Sequence, residues 1–157
     1  MLRHPRWASR VFSRADLDAI VAAVRAAERR TAAEIRVHVE RRVGHGARTQ
    51  STDALARARE VFVALKMHET AARSGVLIYL AMEDRTLAIV GDDGIHSRVG
   101  DAYWHGVRDR MVERLRAGAA RDAIVDAVAE VGAVLAREFP RRPDDVDELP
   151  DDVSLGR

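Results

Sequence analysis

The stretch that most constrains the fold is residues 75–96, GVLIYLAMEDRTLAIVGDDGIH. Residues 76–82 form an apolar run far shorter than the roughly 20 residues needed to cross a bilayer, and of the right length for a central, buried strand. Glu83, Asp84 and Arg85 break that run, and residues 86–90 make a second strand. A three-residue polar turn between two such runs makes them antiparallel neighbours. Gly91, Asp92, Asp93 and Gly94 then form an acidic elbow that turns the chain into helical sequence.

The flanking sequence supplies the rest of a layered α/β unit. Ser13, with Asp16 three residues on, is a capping-box start for a helix whose apolar face is Leu17, Ile20, Val21 and Val24, with Glu28, Arg29 and Arg30 closing it on the solvent side. Glu34–Glu40, EIRVHVE, alternates strictly. Ile35, Val37 and Val39 share one face, and Glu34, Arg36, His38 and Glu40 the other. This pattern predicts a strand with one polar face, near a sheet edge. Residues 41–51 read as a loop with Gly44 and Gly46, and Ser51 or Thr52 as the cap of a helix carrying Leu55, Ala58, Phe62 and Leu65. After the elbow, expected to hold one helical turn, come a helix with Trp104, Val107, Met111 and Leu115 and a last one with Ile124, Val128, Val131 and Leu135, ending at Phe139-Pro140.

The order helix, strand, helix, strand, strand, helix, helix predicts a β-α-β crossover followed by an antiparallel hairpin. That is an α/β/α three-layer sandwich around a small mixed sheet. Residues 1–12 read as an N-terminal arm, 13–140 as the single domain, and 141–157, with six acids against three arginines, as an acidic tail that is mobile or draped on the surface.

Charge balance removes several classes of partner. Lysine and arginine number 26 against 25 acids, a net charge of +1. The arginines alternate with acids and do not cluster, so nucleic acid is not an expected partner. Without cysteine there is no disulfide, thiolate nucleophile or cysteine-ligated metal. Neither a signal-peptide core nor a transmembrane run is visible, so the chain reads as soluble and cytoplasmic.

Strand polarity sorts the chemistry-bearing residues onto two ends of the sheet. One end collects Glu40, His45, Glu83, Asp84 and Arg85. The other collects Thr31, Glu34, Thr70, Arg73, Asp92, Asp93 and His96. The second is the favoured site. Asp92 and Asp93 are adjacent carboxylates on a glycine-bracketed turn, with Glu34 nearby, and they read either as oxygen ligands for Ca²⁺ or Mg²⁺ or as caps of the following helix. Arg36 and His38 face a site, a partner or simply a covered sheet face. The histidines match no HExxH or HxxEH pattern, residues 44–46 lack a nucleotide-loop context, and no serine sits in GxSxG. Trp104 falls on a helical apolar stripe and reads as core.

The segments ERRTAAEIRVHVE (residues 28–40), RSGVLIYLAMEDRTLAIVGDDGIH (73–96), the helix with Tyr103-Trp104, and the ending FPRRPDDVDELPDDVS (139–154) together resemble the TPM domain, a family of thylakoid-lumen and bacterial proteins. Gly91 and Gly94 stand in its Gly-x-Gly elbow, whereas Ala32 and Ala33 replace its usual small pair. The resemblance covers about residues 13–153. It implies an α/β/α sandwich, a divalent cation in some members, and acid phosphatase activity in plant members that act on a photosynthetic membrane complex. Of the family's acidic positions only Asp92 and Asp93 carry over. The resulting expectation is a non-catalytic interaction module that binds a divalent cation and a protein partner in assembly or quality control of a membrane-associated complex. The alternatives are a metal-assisted acid phosphatase acting on phosphomonoesters, with Arg73 or Arg98 clamping the phosphoryl group, and a homodimer formed through the polar strand face.

Overall fold

The computed structural model describes residues 5–44, 53–70, 73–141 and 153–156. The expected elements are present, joined by a short helix in the arm and a short strand in the tail that were not expected: α1 (Ala8–Val11), α2 (Arg14–Glu28), β1 (Glu34–Glu40), α3 (Ala54–Ala64), β2 (Gly75–Ala81), β3 (Thr86–Gly91), α4 (Asp93–Val99), α5 (Asp101–Arg116), α6 (Ala120–Glu138) and β4 (Ser154–Leu155). A 3₁₀ turn, Met67–Glu69, lies between α3 and β2.

The strands form one sheet in the order β3-β2-β1-β4. β1 and β2 are parallel, in register from Glu34 opposite Gly75 to Glu40 opposite Ala81, and β2 and β3 form the antiparallel hairpin. Every residue of β2 is buried, as its unbroken apolar run requires of a strand covered on both faces. Strand alternation then divides the core in two. Ile35, Val37, Val39, Val76, Ile78, Leu80 and Leu87 pack with the apolar stripes of α2, α5 and α6. Leu77, Tyr79, Ala81 and Ala88 pack under α3 with Ala58, Val61, Phe62 and Met67. This is the three-layer α/β/α arrangement.

Local capping follows the sequence at α2. The Ser13 hydroxyl accepts from the Asp16 N–H at 3.0 Å, and the Asp16 carboxylate accepts from the Ser13 N–H at 2.9 Å. At α3 the cap is Asp53, which accepts from the Leu55 N–H at 3.0 Å. Ser51 and Thr52, expected there, lie outside the described residues.

Several expectations change. β1 does lie near a sheet edge, but the edge beyond it is the unforeseen two-residue β4, paired in parallel at His38 and Val39. The polar face of β1 is largely buried. Glu28 does not close α2 on the solvent side. It is 2% exposed, and its carboxylate accepts from the Ile35 N–H at 3.0 Å. The N-terminal arm folds onto the domain, with Ala8 fully buried and Phe12 in the main core. The Trp7 indole donates to the Gly156 carbonyl at 3.2 Å, so the described parts of arm and tail meet at the β4 edge. The elbow leads into α4, longer than the single turn expected.

The α2–α6 contact depends on a missing side chain. A Cβ at Gly132 would sit 2.7 Å from the Ala27 Cβ, so these two helices touch backbone to methyl. Gly132→Val is expected to destabilise the fold by about 2 kcal/mol through overpacking, lowering the thermal midpoint by about 4–8 °C. Gly106→Ala in α5 is the control. Its new methyl would approach only the flexible Arg110 guanidinium, at 3.3 Å, and helix propensity favours alanine by up to about 1 kcal/mol. Thermal melts of the two variants check both expectations.

Candidate functional site

The C-terminal end of β1 carries the most heavily bonded group among the described residues. Alternation places His38 and Glu40 on one face, and the parallel register sets His38 beside Tyr79. Their rings stack with centroids 6.0 Å apart. The Tyr79 hydroxyl donates to Glu40 Oε2 at 2.6 Å, and the Gly44 N–H donates to the same oxygen at 3.0 Å. From α3, Arg57 donates through Nε at 3.1 Å and Nη2 at 2.5 Å to Oε1. His38 Nε2 lies 3.2 Å from Oε1, and since a carboxylate only accepts, this nitrogen carries the proton. The other ring nitrogen, Nδ1, is 2.8 Å from the Ser154 hydroxyl of β4.

Glu40 is 1% exposed. Burial works to raise its pKa, but the hydrogen bonds from His38, Arg57, Tyr79 and Gly44 outweigh it and hold the carboxyl far below its ordinary range. Burial, followed by the bond to Glu40 and its charge, pushes the Tyr79 phenol up. A carboxylate whose acceptor positions are filled is a poor base, and a phenol that resists ionisation is a poor nucleophile. This cluster therefore joins β1, β2, α3 and β4 mechanically. Nearby, Glu83 accepts from Arg41 at 2.5 Å and Arg42 at 2.7 Å, and Asp84 accepts from the Val43 N–H at 2.7 Å, tying the hairpin turn to the chain leaving β1. His45, expected at this end, lies outside the described residues.

At the opposite end the elbow is fastened to the start of β2. The Asp92 N–H donates to the Gly75 carbonyl at 2.9 Å and the Gly94 N–H to the Arg73 carbonyl at 3.1 Å, while the Glu34 N–H donates to the Ser74 carbonyl at 3.2 Å. Asp92, Asp93 and Glu34 thus stand at one end of the sheet. Asp92 caps α4, one of its oxygens accepting from the Asp93 N–H at 2.8 Å, while its Oδ2 is buried without a hydrogen-bond partner. Asp93 is exposed, 3.9 Å from Arg73, and Glu34 is 4% exposed. Among the described residues, no group of three or more His, Asp or Glu side chains is gathered closely enough to hold a metal ion. Thr31 donates to the Leu135 and Phe139 carbonyls at 3.0 and 2.6 Å, and Thr70 accepts from the Ser74 N–H at 3.2 Å, so both act as backbone ties.

A third feature runs along the outer side of β3. An open trough of about 690 Å³ is floored by Leu87, Ala88, Ile89, Val90 and Gly91. Asp53, Leu55 and Arg59 of the α3 segment border it on one side, and Asp93, His96, Asp101, Trp104, His105 and Arg108 on the other. β3 is the terminal strand of the sheet.

Comparison with known proteins places this architecture. The sequence profile of the TPM domain matches residues 8–134. The chain belongs to the TPM domain family. Protein BA42 from the psychrophilic bacterium Bizionia argentinensis is similar in structure with a TM-score of 0.81 and 40% identity, over 92% of this chain and 95% of that one. Two more distant neighbours share the fold. The N-terminal domain of a Porphyromonas gingivalis protein has a TM-score of 0.66 at 18% identity, over 84% and 82% of the two chains. The N-terminal domain of the Corynebacterium glutamicum protein cg2496 has a TM-score of 0.57 at 16% identity, over 86% of each. A search of curated proteins returns no match.

In this TPM domain, sequence reasoning grouped Glu40 with the hairpin turn but missed Tyr79 and Arg57, its strongest partners. They lie in an apolar run and on a charged helix, with no local pattern linking them to β1. The trough was missed for a similar reason: Arg59, Trp104 and Arg108 come from two helices that only the packing brings to β3. No helix among the described residues is long and apolar enough to cross a membrane.

The Glu40 cluster makes a signed prediction. With its folded pKa below the ordinary 4.5, the unfolded chain binds more protons as pH falls, so Glu40 stabilises fully above about pH 5 and progressively less below it. Glu40→Gln removes that acid dependence and, by leaving the Arg57 guanidinium with only the exposed Glu60 carboxylate, costs about 3 kcal/mol at neutral pH. Tyr79→Phe, which deletes one bond to a charged group, costs about 1.5–3 kcal/mol. Urea denaturation between pH 3 and 7 measures both.

Proposed function

We propose that this TPM domain is a non-catalytic interaction module. It docks a protein partner along the β3 trough, takes a divalent cation at the Asp92–Asp93 elbow, and serves in assembly or quality control of a membrane-associated complex. The observation that carries the reading is the trough: a terminal strand at the floor of a preformed groove, with helices rising on either side. By contrast, the strongest acid–hydroxyl pair, Glu40 and Tyr79, is buried and turned inward.

The elbow suits a hydrated cation. Asp92 offers a buried oxygen with no hydrogen-bond partner, Asp93 an exposed carboxylate beside it, and water would complete the shell of a hard ion held by two side chains. Bound there, the ion would brace the elbow against the start of β2. It would also set the charge at the Gly91 end of the trough, which Asp93 and His96 line.

Two measurements test this reading. Titration calorimetry of Ca²⁺ and Mg²⁺ into chelator-treated protein is expected to give weak, millimolar-range binding that the Asp92→Asn/Asp93→Asn variant abolishes. Hydrolysis of p-nitrophenyl phosphate by pure protein, with and without Mg²⁺, is expected to stay at the rate of the same variant. Metal-dependent turnover lost in Asp92→Asn would replace the interaction module with a metal-assisted phosphatase, in which the cation polarises the phosphoryl group and Arg73 lies close enough to clamp it.

A further inference from the structure

We propose that the β3 trough binds an extended, acidic segment of a partner protein as an added strand of the sheet. This rests on the reading of the domain as an interaction module and names the chemistry of its partner.

The backbone gives the first argument. The Asp92 N–H to Gly75 carbonyl bond fixes which residues of β3 face β2. In an antiparallel pair the bonded positions alternate. Val90, Ala88 and Thr86, opposite Leu77, Tyr79 and Ala81, therefore bond inward. Leu87, Ile89 and Gly91 turn their N–H and C=O groups to the open side, and all three line the trough. A row of alternating donors and acceptors at this spacing is matched by another extended backbone.

The walls give the second argument, which concerns charge. Of the acids that line the trough, Asp53 caps α3 at the Leu55 N–H, Asp93 belongs to the elbow at the Gly91 end, 3.9 Å from Arg73, and Asp101 lies 3.6 Å from His96. Arg59, on the α3 wall, and Arg108, on the α5 wall, are exposed and have no ion pair or hydrogen bond among the described residues. Two uncompensated guanidinium groups on opposite walls favour carboxylates on the incoming strand, whose alternate side chains reach to the two sides. Trp104, 6% exposed, also lines the trough and gives it an apolar wall.

The described tail residues do not occupy the trough. They pair with β1 at the far edge of the sheet, where Gly156 meets Val39 and Trp7.

The test uses two blocked pentapeptides, Val-Glu-Glu-Thr-Val and Val-Lys-Lys-Thr-Val, whose adjacent charges point to opposite sides of an extended strand, titrated into ¹⁵N-labelled protein. The acidic peptide is expected to shift the Leu87, Ile89 and Gly91 amides and slow their exchange with solvent, and to bind at least tenfold tighter than the basic one. An Arg59→Glu/Arg108→Glu variant, altered only at exposed positions, is expected to reverse that preference while keeping its thermal midpoint. Equal affinity for both peptides, indifference to the double variant, or binding without change at the β3 amides overturns the proposal. So does a dimeric mass of the peptide-free protein with these amides already protected, since a second copy would then be the occupant. A basic peptide that shifts the β3 amides would overturn the acidic chemistry but leave the docking reading in place. Phosphatase turnover would overturn the non-catalytic reading whichever peptide binds.

Discussion

The buried Glu40 carboxylate is the constraint on which one side of this molecule depends. A charge removed from water must be bonded on nearly every lone pair, or the fold loses several kcal/mol. Here the donors come from everything that has to be held together at that end of the sheet. Tyr79 comes from β2, Arg57 from α3 and Gly44 from the loop leaving β1, while His38 passes the network on to Ser154 of β4. The layer under α3 is small, and its apolar contacts are fewer than those of the opposite layer. A polar hub adds direction where area is scarce, because each donor must reach one carboxylate with defined geometry.

Fixing that end leaves the rest of the sheet free for other uses. β2 is sealed between its neighbours and two helical layers, and β1 is closed by a two-residue β4 and the described parts of the arm and tail. Among the described residues, β3 is the strand whose outer side stays open, yet α3 and α5 flank it and keep the edge from presenting a flat surface. An edge recessed between helices is accessible to a single strand and shielded against indiscriminate pairing. The acidic elbow lies at one end of this trough, so the two features the proposed function uses are neighbours.

Much of the fold was legible because its signals are local. The alternation of Glu34–Glu40, the unbroken apolar run of β2, the polar turn at residues 83–85 and the Ser13–Asp16 box each declare an element within a few residues. Errors arose where the deciding contact is distant in sequence. Glu28 looked solvent-facing because its partner, the Ile35 N–H, follows a turn. β4, the strand beyond β1, was missed because it lies more than a hundred residues later and spans two residues, too few to show a pattern. The site was read least well. Asp92 and Asp93 announce themselves as a glycine-flanked pair, whereas Arg57, Tyr79, Arg59 and Arg108 look like ordinary helix and strand residues until the layers close.

The sequence by itself determined the element order, the parallel crossover and hairpin, the division of apolar residues between two sheet faces, and the likeness to the TPM domain. These follow from periodicity and turn chemistry, which act over a handful of residues. The tertiary structure alone decided that the polar face of β1 is an internal hub, that the described parts of arm and tail join at the far edge, and that Arg59 and Arg108 line one trough along β3. Those outcomes depend on which distant groups share one small volume, and the cost of burying charge or leaving a strand edge open arises only there.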